Sequence, residues 1–195
     1  MKILFLSMIL LLTMGCSHTK PSIIEDEIKG PSVITNIKGK KGMSIDKADL
    51  DGDGKPDAYI YYKVDPKTKR KTLVKKEFDL NNDGKIDITK YFDAKGNQIK
   101  DEVDQDFDGK VDHIVVYKKN KVYMVLLSLT FDGKFDEKEF FDKGKLMLIK
   151  RSTKKNGIFD EFQYFVHGRL IRIGWDKDGN GQPEVFEDNP TGAPQ

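Results

Sequence analysis

The sequence predicts an all-β protein, folded as an antiparallel meander of hairpin repeats of about 24 residues in an elongated or partly closed, barrel-like sheet. The first observation is a repeat: six glycines follow one another at steps of 30, 25, 24, 24 and 24 residues, at Gly54, Gly84, Gly109, Gly133, Gly157 and Gly181. A fixed period of this length is typical of repeat architectures. The second observation is that the segments between them are short and rich in β-branched and aromatic residues, which leaves no room for helices of normal length.

Each repeat contains two predicted strands separated by a short polar turn. The strands that follow the glycine turns are predicted at 58–62, 88–92, 113–117, 137–141 and 161–166. The returning strands are predicted at 72–78, 122–129, 146–149 and 170–173. Most are apolar on one face only, so the sheet is expected to fold over or close to cover that face. About twelve strands would make only ~3 propeller blades, which is too few for a propeller.

The composition fits one domain with a thin core. The chain has 195 residues, of which 37% are hydrophobic, 34% charged and 10% aromatic. The aromatic fraction argues against disorder. Its 34 Lys and Arg residues stand against 32 Asp and Glu residues, a formal net charge of +2. Because this balance provides no large basic field, no nucleic-acid partner is expected.

Residues 1–15 are predicted to be a signal peptide. Lys2 precedes an apolar run over 3–12, which is too short for a membrane-spanning helix of about 20 residues. The chain's single cysteine, Cys16, follows this segment directly, and the junction resembles the lipobox of bacterial lipoproteins. Thr13 and Met14 depart from the residues that such lipoboxes prefer. An ordinary signal peptide and a buried unmodified cysteine are the alternatives.

The lipobox resemblance implies that Cys16 is lipidated and becomes the first residue of the mature chain. It implies a lipid-anchored protein of the bacterial cell envelope. Ser17, rather than Asp, follows the cysteine, which by the sorting of enterobacterial lipoproteins favours the outer membrane. The segment 16–41 contains Pro and Gly and is expected to be a lipidated tether, followed by the repeat domain at 42–188 and a flexible tail at 189–195.

Acidic ladders around three of the glycines indicate metal-binding loops. Counted from its first Asp, each has side-chain oxygens at positions 1, 3, 5 and 9 and Gly at position 6, which suits Ca²⁺. The predicted ligands are Asp49, Asp51, Asp53 and Asp57 in the first copy, Asp79, Asn81, Asp83 and Asp87 in the second, and Asp104, Asp106, Asp108 and Asp112 in the third. Crowded carboxylates repel one another unless a cation neutralises them. The alternative is a solvated Asp/Asn/Gly turn without metal.

These ladders resemble the calcium loops of FG-GAP/VCBS-type repeats and, at positions 1, 3, 5 and 6, the loops of EF-hands. They lack the Glu that an EF-hand places at position 12, and no helices are predicted beside them. In FG-GAP/VCBS-type repeats the Asp at position 9 replaces that Glu. The resemblance implies that the bound metal is Ca²⁺.

The last three copies are less uniform. The fourth, 128–136, and the fifth, 152–160, have lost most of the ladder, and Lys154 occupies position 3 of the fifth. Both are therefore interpreted as metal-free turns. The sixth copy recovers the ladder, and its predicted ligands are Asp176, Asp178, Asn180 and Glu184.

The sequence contains no recognisable catalytic motif. His18, His113 and His167 have no partner at metal or triad spacing, and no phosphate loop or hydrolase motif is present. The chain is therefore expected not to be an enzyme. We expect a lipid-anchored structural or binding module, stabilised by Ca²⁺, with an envelope protein or glycan as its partner. The alternatives are an envelope enzyme or glycan-processing accessory whose site the sequence does not reveal, and a calcium sensor.

Overall fold

A computed structural model describes residues 32–38, by their backbone alone, and residues 42–189. These residues form thirteen β-strands: β1 (Ser32–Lys38), β2 (Met43–Asp49), β3 (Ala58–Val64), β4 (Lys71–Phe78), β5 (Ile88–Phe92), β6 (Gln98–Val103), β7 (His113–Lys118), β8 (Lys121–Leu127), β9 (Glu137–Asp142), β10 (Lys145–Arg151), β11 (Glu161–Val166), β12 (Arg169–Trp175) and β13 (Val185–Asp188). Within this described part, no helix has the length and apolar character needed to cross a membrane.

All thirteen strands lie in one antiparallel sheet in the order of the chain. Each strand is hydrogen-bonded to the strand before it and the strand after it, and β1 and β13 form the two outer strands. The sheet is therefore open rather than closed into a barrel. This arrangement confirms the predicted all-β antiparallel meander, in its elongated form.

The nine strands that the sequence predicts are all present, and four more join them. Of these four, β2 and β6 are mostly polar, and β13 has only four residues, so the hydrophobic pattern did not indicate them. The fourth, β1, lies within the segment 16–41 assigned to the tether and pairs with β2, so the sheet begins before residue 42. The predicted strand 122–129 ends at Leu127, because 128 and 129 already belong to the following loop. The predicted signal peptide, Cys16 and most of the predicted tail lie outside the described residues.

The sheet has a very thin hydrophobic core, because the substantial contacts of every strand are with its sequence neighbours. Only Ala58, Ile149, Phe162 and Leu170 are buried apolar residues in the described part. Long side chains cover part of the remaining apolar surface, while other large apolar residues, such as Leu80 and Ile158, are 55% and 58% exposed. The Lys75 ammonium, for example, lies 4.3 Å from the centroid of a tyrosine ring on β3. The expected folding-over of the sheet is thus replaced by cover from lysine side chains within the sheet itself.

The connections between strands form two edges of different chemistry. One edge, the loop edge, carries six nine-residue loops at 49–57, 79–87, 104–112, 128–136, 152–160 and 176–184. The opposite edge, the hairpin edge, carries the short polar turns. Three of these are two-residue turns with positive φ at both positions, at 119–120, 143–144 and 167–168. Positive φ at both positions matches the right-handed twist of the flanking strands.

Candidate metal-binding loops

The first and last residues of each loop hold the loop together. At position 1, the carboxylate accepts the backbone N–H of the glycine at position 6, as in the 2.6 Å bond from Gly109 N to Asp104 Oδ2. At position 9, the carboxylate accepts the backbone N–H of position 2, as in the 3.0 Å bond from Gln105 N to Asp112 Oδ2. The acidic residues therefore have a structural role in the turn that is independent of any metal.

The position-9 contact recurs in all six loops. The backbone N–H of position 2 donates to a carboxylate oxygen of position 9 in each loop. The nitrogen–oxygen distances are 2.7 Å to Asp57, 2.5 Å to Asp87, 3.0 Å to Asp112, 3.2 Å to Asp136, 2.7 Å to Asp160 and 2.7 Å to Glu184. The position-1 contact to the glycine N–H occurs in four loops, at Asp49, Asp79, Asp104 and Asp176. The fourth and fifth loops have Ser at position 1 instead.

Two positions of each loop adopt the left-handed backbone conformation. Position 6 is always glycine, with φ between +79° and +94°, where an L side chain would be strained. Position 4 also has positive φ, and in the third and fourth loops it is Phe107 and Phe131, with φ of 65° and 57°. The sequence indicates the glycines but not the left-handed conformation of position 4, because bulky residues rarely adopt it.

Three of the loops bring carboxylates together closely enough to hold a metal ion. The groups are Asp49, Asp51 and Asp53 in the first loop, Asp104, Asp106 and Asp108 in the third, and Asp176, Asp178 and Glu184 in the sixth. Within each group the ligand atoms all lie within 4.8 Å of one another. The position-1 residue of each group is buried and the other two are exposed.

The remaining predicted ligands take other places. Asp57 and Asp112 lie outside the groups of their own loops. In the second loop, Asp79, Asp83 and Asp87 form no such group among the described residues, and Asn81 Oδ1 accepts the Asp83 backbone N–H at 3.0 Å. In the sixth loop, Asn180 Oδ1 accepts the Gln182 N–H at 2.8 Å.

Backbone hydrogen bonds join each loop to the next. The N–H of position 1 donates to the carbonyl oxygen of position 9 of the preceding loop, over 2.8 Å from Asp79 to Asp57, 2.8 Å from Asp104 to Asp87, 2.7 Å from Ser128 to Asp112, 2.7 Å from Ser152 to Asp136 and 3.0 Å from Asp176 to Asp160. Positions 1 and 9 of all loops thus form one line along the loop edge, which we call the carboxylate row: Asp49, Asp57, Asp79, Asp87, Asp104, Asp112, Ser128, Asp136, Ser152, Asp160, Asp176 and Glu184.

The carboxylate row is strongly acidic and largely buried. The six loops contain seventeen Asp and Glu residues against seven Lys residues, a formal net charge of −10. Asp87, Asp112 and Asp136 are 2%, 0% and 1% exposed. Like charges placed side by side across a sheet are destabilising. The loop edge therefore favours the binding of cations.

Several exposed carboxylates of the loops are poised to stay ionised. The backbone N–H of Lys85 lowers the pKa of Asp83, and that of Lys134 lowers the pKa of Asp132. The Lys110 side chain and backbone lower the pKa of Asp108. Hydrogen bonds to a carboxylate favour its charged form. These groups carry their negative charge at neutral pH, as a metal ligand must.

The fifth loop is closed by protein hydrogen bonds. Both oxygens of Asp160 accept hydrogen bonds of 2.7 Å, from the backbone N–H and the hydroxyl of Thr153. The Ser152 hydroxyl donates to Asn156 Oδ1 at 3.0 Å. These contacts satisfy the polar groups at positions 1, 5 and 9 without a cation, in keeping with the interpretation of this loop as metal-free.

A cleft of about 400 Å³ lies on the hairpin edge, opposite the carboxylate row. Lys119, Lys121 and Lys143 line it together with Tyr123 and Phe141. In the described part of the chain, none of these three lysines forms a salt bridge. Lys118 and Asp142 line it as well, so the cleft has four lysines against one carboxylate and carries a net positive charge beside aromatic rings.

Comparison of the chain with models of known protein families and with curated proteins gives no match. Among solved structures, the chain is similar to one described as the crystal structure of accessory secretory protein 1, 2 and 3 in Streptococcus pneumoniae. The identity is 15% and the TM-score 0.37, over 63% of this chain and 21% of that chain. The chain spans about a fifth of the length of that protein, and so weak a likeness assigns neither a fold nor a function.

Proposed function

We propose that the chain is a lipid-anchored cell-envelope protein whose hairpin repeats are stabilised by Ca²⁺ in the acidic loops, and that it serves as a structural or binding module. The main support for a bound metal ion is the geometry of the third loop. Its ligand atoms on Asp104, Asp106 and Asp108 lie within 4.8 Å of one another. In addition, Oδ1 of Asp104 and Oδ1 of Asp112 are buried without a hydrogen-bond partner. Such atoms are costly unless something satisfies them.

The donor set favours Ca²⁺ among the common metal ions. Every candidate ligand is a carboxylate or carbonyl-type oxygen, which suits hard cations rather than zinc or copper. The exposed residues at positions 3 and 5 leave room for water, which would complete the 6–8 ligands that Ca²⁺ takes. The cation would neutralise the crowded carboxylates and hold the loop closed, which makes it a clamp on the hairpin.

Thermal melting with and without Ca²⁺ tests the clamp. With Kd of about 10⁻⁴ M, 1 mM Ca²⁺ would contribute about 1.4 kcal/mol per site, or about 3–6 °C in Tm. Replacing Asp106 and Asp108 together by Asn should remove the part of the Ca²⁺-dependent rise in Tm that comes from the third loop. Asp65→Asn is the matched control, because this exposed Asp of the hairpin edge also accepts two backbone N–H bonds.

The possible outcomes separate the alternatives. A Tm that does not respond to millimolar Ca²⁺ contradicts the clamp. Sub-micromolar affinity with a large spectroscopic change would instead favour a calcium sensor, since envelope modules bind at about 10⁻⁴–10⁻³ M. A rise in Tm that survives the Asp106/Asp108 change undiminished would remove the third loop from the proposal.

The lipid anchor is proposed from Cys16 alone, and it has its own test. Cys16→Ser leaves the repeat domain unchanged, because the residue precedes it by more than fifteen positions. We expect the wild-type chain in the membrane fraction and the Cys16→Ser chain in the soluble fraction of the producing cells. A Cys16→Ser chain that stays in the membrane fraction would contradict lipidation as the anchor.

The binding role is supported by the cleft on the hairpin edge. The lysines of the cleft outnumber its one carboxylate, that of Asp142, and lie beside aromatic rings. This suits an acidic glycan, whose charges meet the ammonium groups and whose sugar rings stack on aromatic faces. Changing Lys119, Lys121 and Lys143 to Gln should weaken co-sedimentation with a phosphate- or uronate-bearing envelope polysaccharide at least tenfold. The control is the double change of Lys67 and Lys69, exposed on another turn of the same edge. Equal binding by both variants would contradict the cleft.

A further inference from the structure

Six buried side-chain oxygens have no hydrogen-bond partner among the described residues, and they fall on one uninterrupted stretch of the carboxylate row. They are Oδ1 of Asp79, Asp87, Asp104, Asp112 and Asp136, and Oγ of Ser128. The stretch begins at the first residue of the second loop and ends at the last residue of the fourth. It therefore includes the fourth loop, whose sequence predicts a metal-free turn.

The fourth loop cannot satisfy its own buried oxygens. Asp136 Oδ2 accepts the Leu129 N–H at 3.2 Å and the Thr130 hydroxyl at 3.3 Å, which leaves Oδ1 unpaired. Asp136 is 1% exposed and Ser128 is 3% exposed. An unpaired carboxylate oxygen at this depth is costly, because no protein group compensates for its desolvation.

The third loop supplies a further unpaired oxygen at the adjoining position of the carboxylate row. The Ser128 backbone N–H donates to the Asp112 carbonyl oxygen at 2.7 Å, so these two residues are neighbours across the junction of the loops. Asp112 is fully buried, and its Oδ1 has no partner. Three consecutive members of the row, two of them carboxylates, thus present unpaired oxygens where two repeats meet.

The fifth loop shows what the row looks like where no cation is needed. Its position-9 residue, Asp160, has both carboxylate oxygens hydrogen-bonded to Thr153. Its position-1 serine donates to Asn156. The fourth and fifth loops both begin with Ser and end with Asp, yet only the fourth leaves these oxygens unpaired. Both loops have lost most of the acidic ladder, so this loss does not explain why only the fourth loop has unpaired buried oxygens.

We propose that the junction of the third and fourth loops is a cation site shared by two repeats, with Asp112, Ser128 and Asp136 as its protein ligands. Two carboxylates and a hydroxyl suit a hard divalent cation such as Ca²⁺. This inference rests on the proposed function for the identity of the metal. It differs from the ladder sites in location, because its ligands come from two different loops, whereas the carboxylates of each ladder site come from one loop.

Such a site adds a link between two repeats that already meet along their strands, through one backbone hydrogen bond and through the Lys110 side chain beside Gly133. A cation at the junction would hold the end of the third loop against both ends of the fourth. Binding there and in the ladder of the third loop would be linked, because Asp112 also closes the third loop through the Gln105 N–H. Removing the junction cation should therefore loosen both loops.

Asp136→Asn and Asp160→Asn form a matched pair for the test in the full-length chain. Both replace the position-9 carboxylate of a loop that begins with Ser. Calcium bound per chain, measured by equilibrium dialysis and elemental analysis, should fall by one ion in Asp136→Asn and stay unchanged in Asp160→Asn. The Ca²⁺-dependent rise in Tm should shrink in Asp136→Asn only. Without Ca²⁺, Asp136→Asn should melt no lower than wild type, because it removes an unpaired buried charge.

Ser128→Ala provides a second variant that changes no charge. It should weaken one calcium-binding step several-fold in calorimetric titration, the step that is lost in Asp136→Asn. Unchanged stoichiometry in Asp136→Asn, with unchanged affinity in Ser128→Ala, would overturn the shared site and assign the unpaired oxygens to water. An equal loss of calcium in Asp160→Asn would overturn it as well.

Failure of this site is distinguishable from failure of the proposed function. If the wild-type chain binds calcium and the Asp106/Asp108 variant loses it while Asp136→Asn does not, the clamp stands and the shared site is wrong. If the wild-type chain binds no calcium at millimolar concentration, both are wrong.

Discussion

The phenolic hydroxyl of Tyr91 on β5 donates a 2.7 Å hydrogen bond to Oε2 of Glu102 on β6. The ammonium group of Lys100 donates to the other carboxylate oxygen at 2.7 Å and lies 4.2 Å from the centroid of the Tyr91 ring. Burial, and after it the bond to Glu102, raise the pKa of Tyr91 to about 12. The three side chains form one cluster that covers part of the sheet.

Tyr91 should make the protein sensitive to alkali. Because its pKa is raised on folding, the neutral phenol is favoured in the folded state. This contribution is fully present below about pH 10 and is lost as the pH rises through about 12. Tyr91→Phe should therefore flatten the fall in unfolding free energy between about pH 9.5 and 11.5, measured by urea denaturation. Tyr123→Phe is the control, since that side chain is 42% exposed; a slope equal in both variants would contradict the prediction.

Glu139→Gln should stabilise the protein at neutral pH. Burial, and next the neighbouring Glu137, raise the pKa of Glu139, so its ionised form is disfavoured by folding. The resulting stability is present below the unfolded pKa of about 4.5 and is lost as the pH rises through the folded value. Because the group is partly exposed, the gain should stay below about 1 kcal/mol, or about 2–4 °C in Tm at pH 7.

The pH dependence is the check on this explanation. The difference in Tm between Glu139→Gln and wild type should vanish below about pH 4, where both side chains are neutral. A variant that melts lower than wild type at pH 7, or a difference that persists in acid, would show that the carboxylate is not the cause.

Gly174→Ala should loosen the last hairpin. A Cβ at Gly174 on β12 would lie 2.8 Å from Cβ of Pro183 and 3.0 Å from Cε1 of Phe186, which is closer than carbon atoms approach. Overpacking of this kind costs about 1–3 kcal/mol, which thermal melting would detect. Ile171→Ala on the same strand is the control, because Ile171 is 41% exposed and such changes usually stay within about 0.5 kcal/mol. Equal stability of the two variants would contradict the close packing.

Asn97→Ala should raise the pKa of Asp93 towards its ordinary value. The Asn97 side chain and then its backbone N–H hydrogen-bond to Asp93 and lower the pKa of that carboxyl. The lowered pKa gives stability that is present above the unfolded value of about 3.9 and is lost as the pH falls through the folded value. NMR titration of the Asp93 carboxyl carbon measures the shift directly. A pKa that is the same in both chains would assign the effect to the backbone alone.

The hydrophobic pattern predicted the strands wherever aromatic and β-branched residues dominate, as in Ala58–Val64, and the spacing of the glycines predicted the turns between them. It did not indicate Gln98–Val103, because that strand is mostly polar and is fixed by its neighbours in the sheet. It left an elongated and a partly closed sheet open as alternatives, because one-sided strands need cover for their apolar face, and the sheet is the elongated, open one. Lysine stems lying over aromatic rings provide cover that a binary pattern does not register.

The ladder residues of the first, third and sixth loops were predicted from spacing alone, and the structure brings three carboxylates together in each. The proposed cation site at the fourth loop could not be predicted from sequence, because Ser128 and Asp136 are the same residue types as Ser152 and Asp160 of the fifth loop. What separates them is which hydrogen bonds form within each loop. That depends on Thr153 and Asn156 of the fifth loop, which stand where the fourth loop has Leu129 and Asp132, and the consequence of this difference appears only in three dimensions.

A one-layer sheet gives the protein a length that is proportional to its number of repeats. Adjacent strands lie about 4.8 Å apart, so thirteen of them extend over about 58 Å, and each duplication of one hairpin would add about 10 Å. Since the strands pack chiefly against their sequence neighbours, a duplicated or deleted hairpin leaves the rest of the sheet intact. Addition or loss of hairpins should therefore change the length of the sheet in equal steps, because no shared core has to be rebuilt.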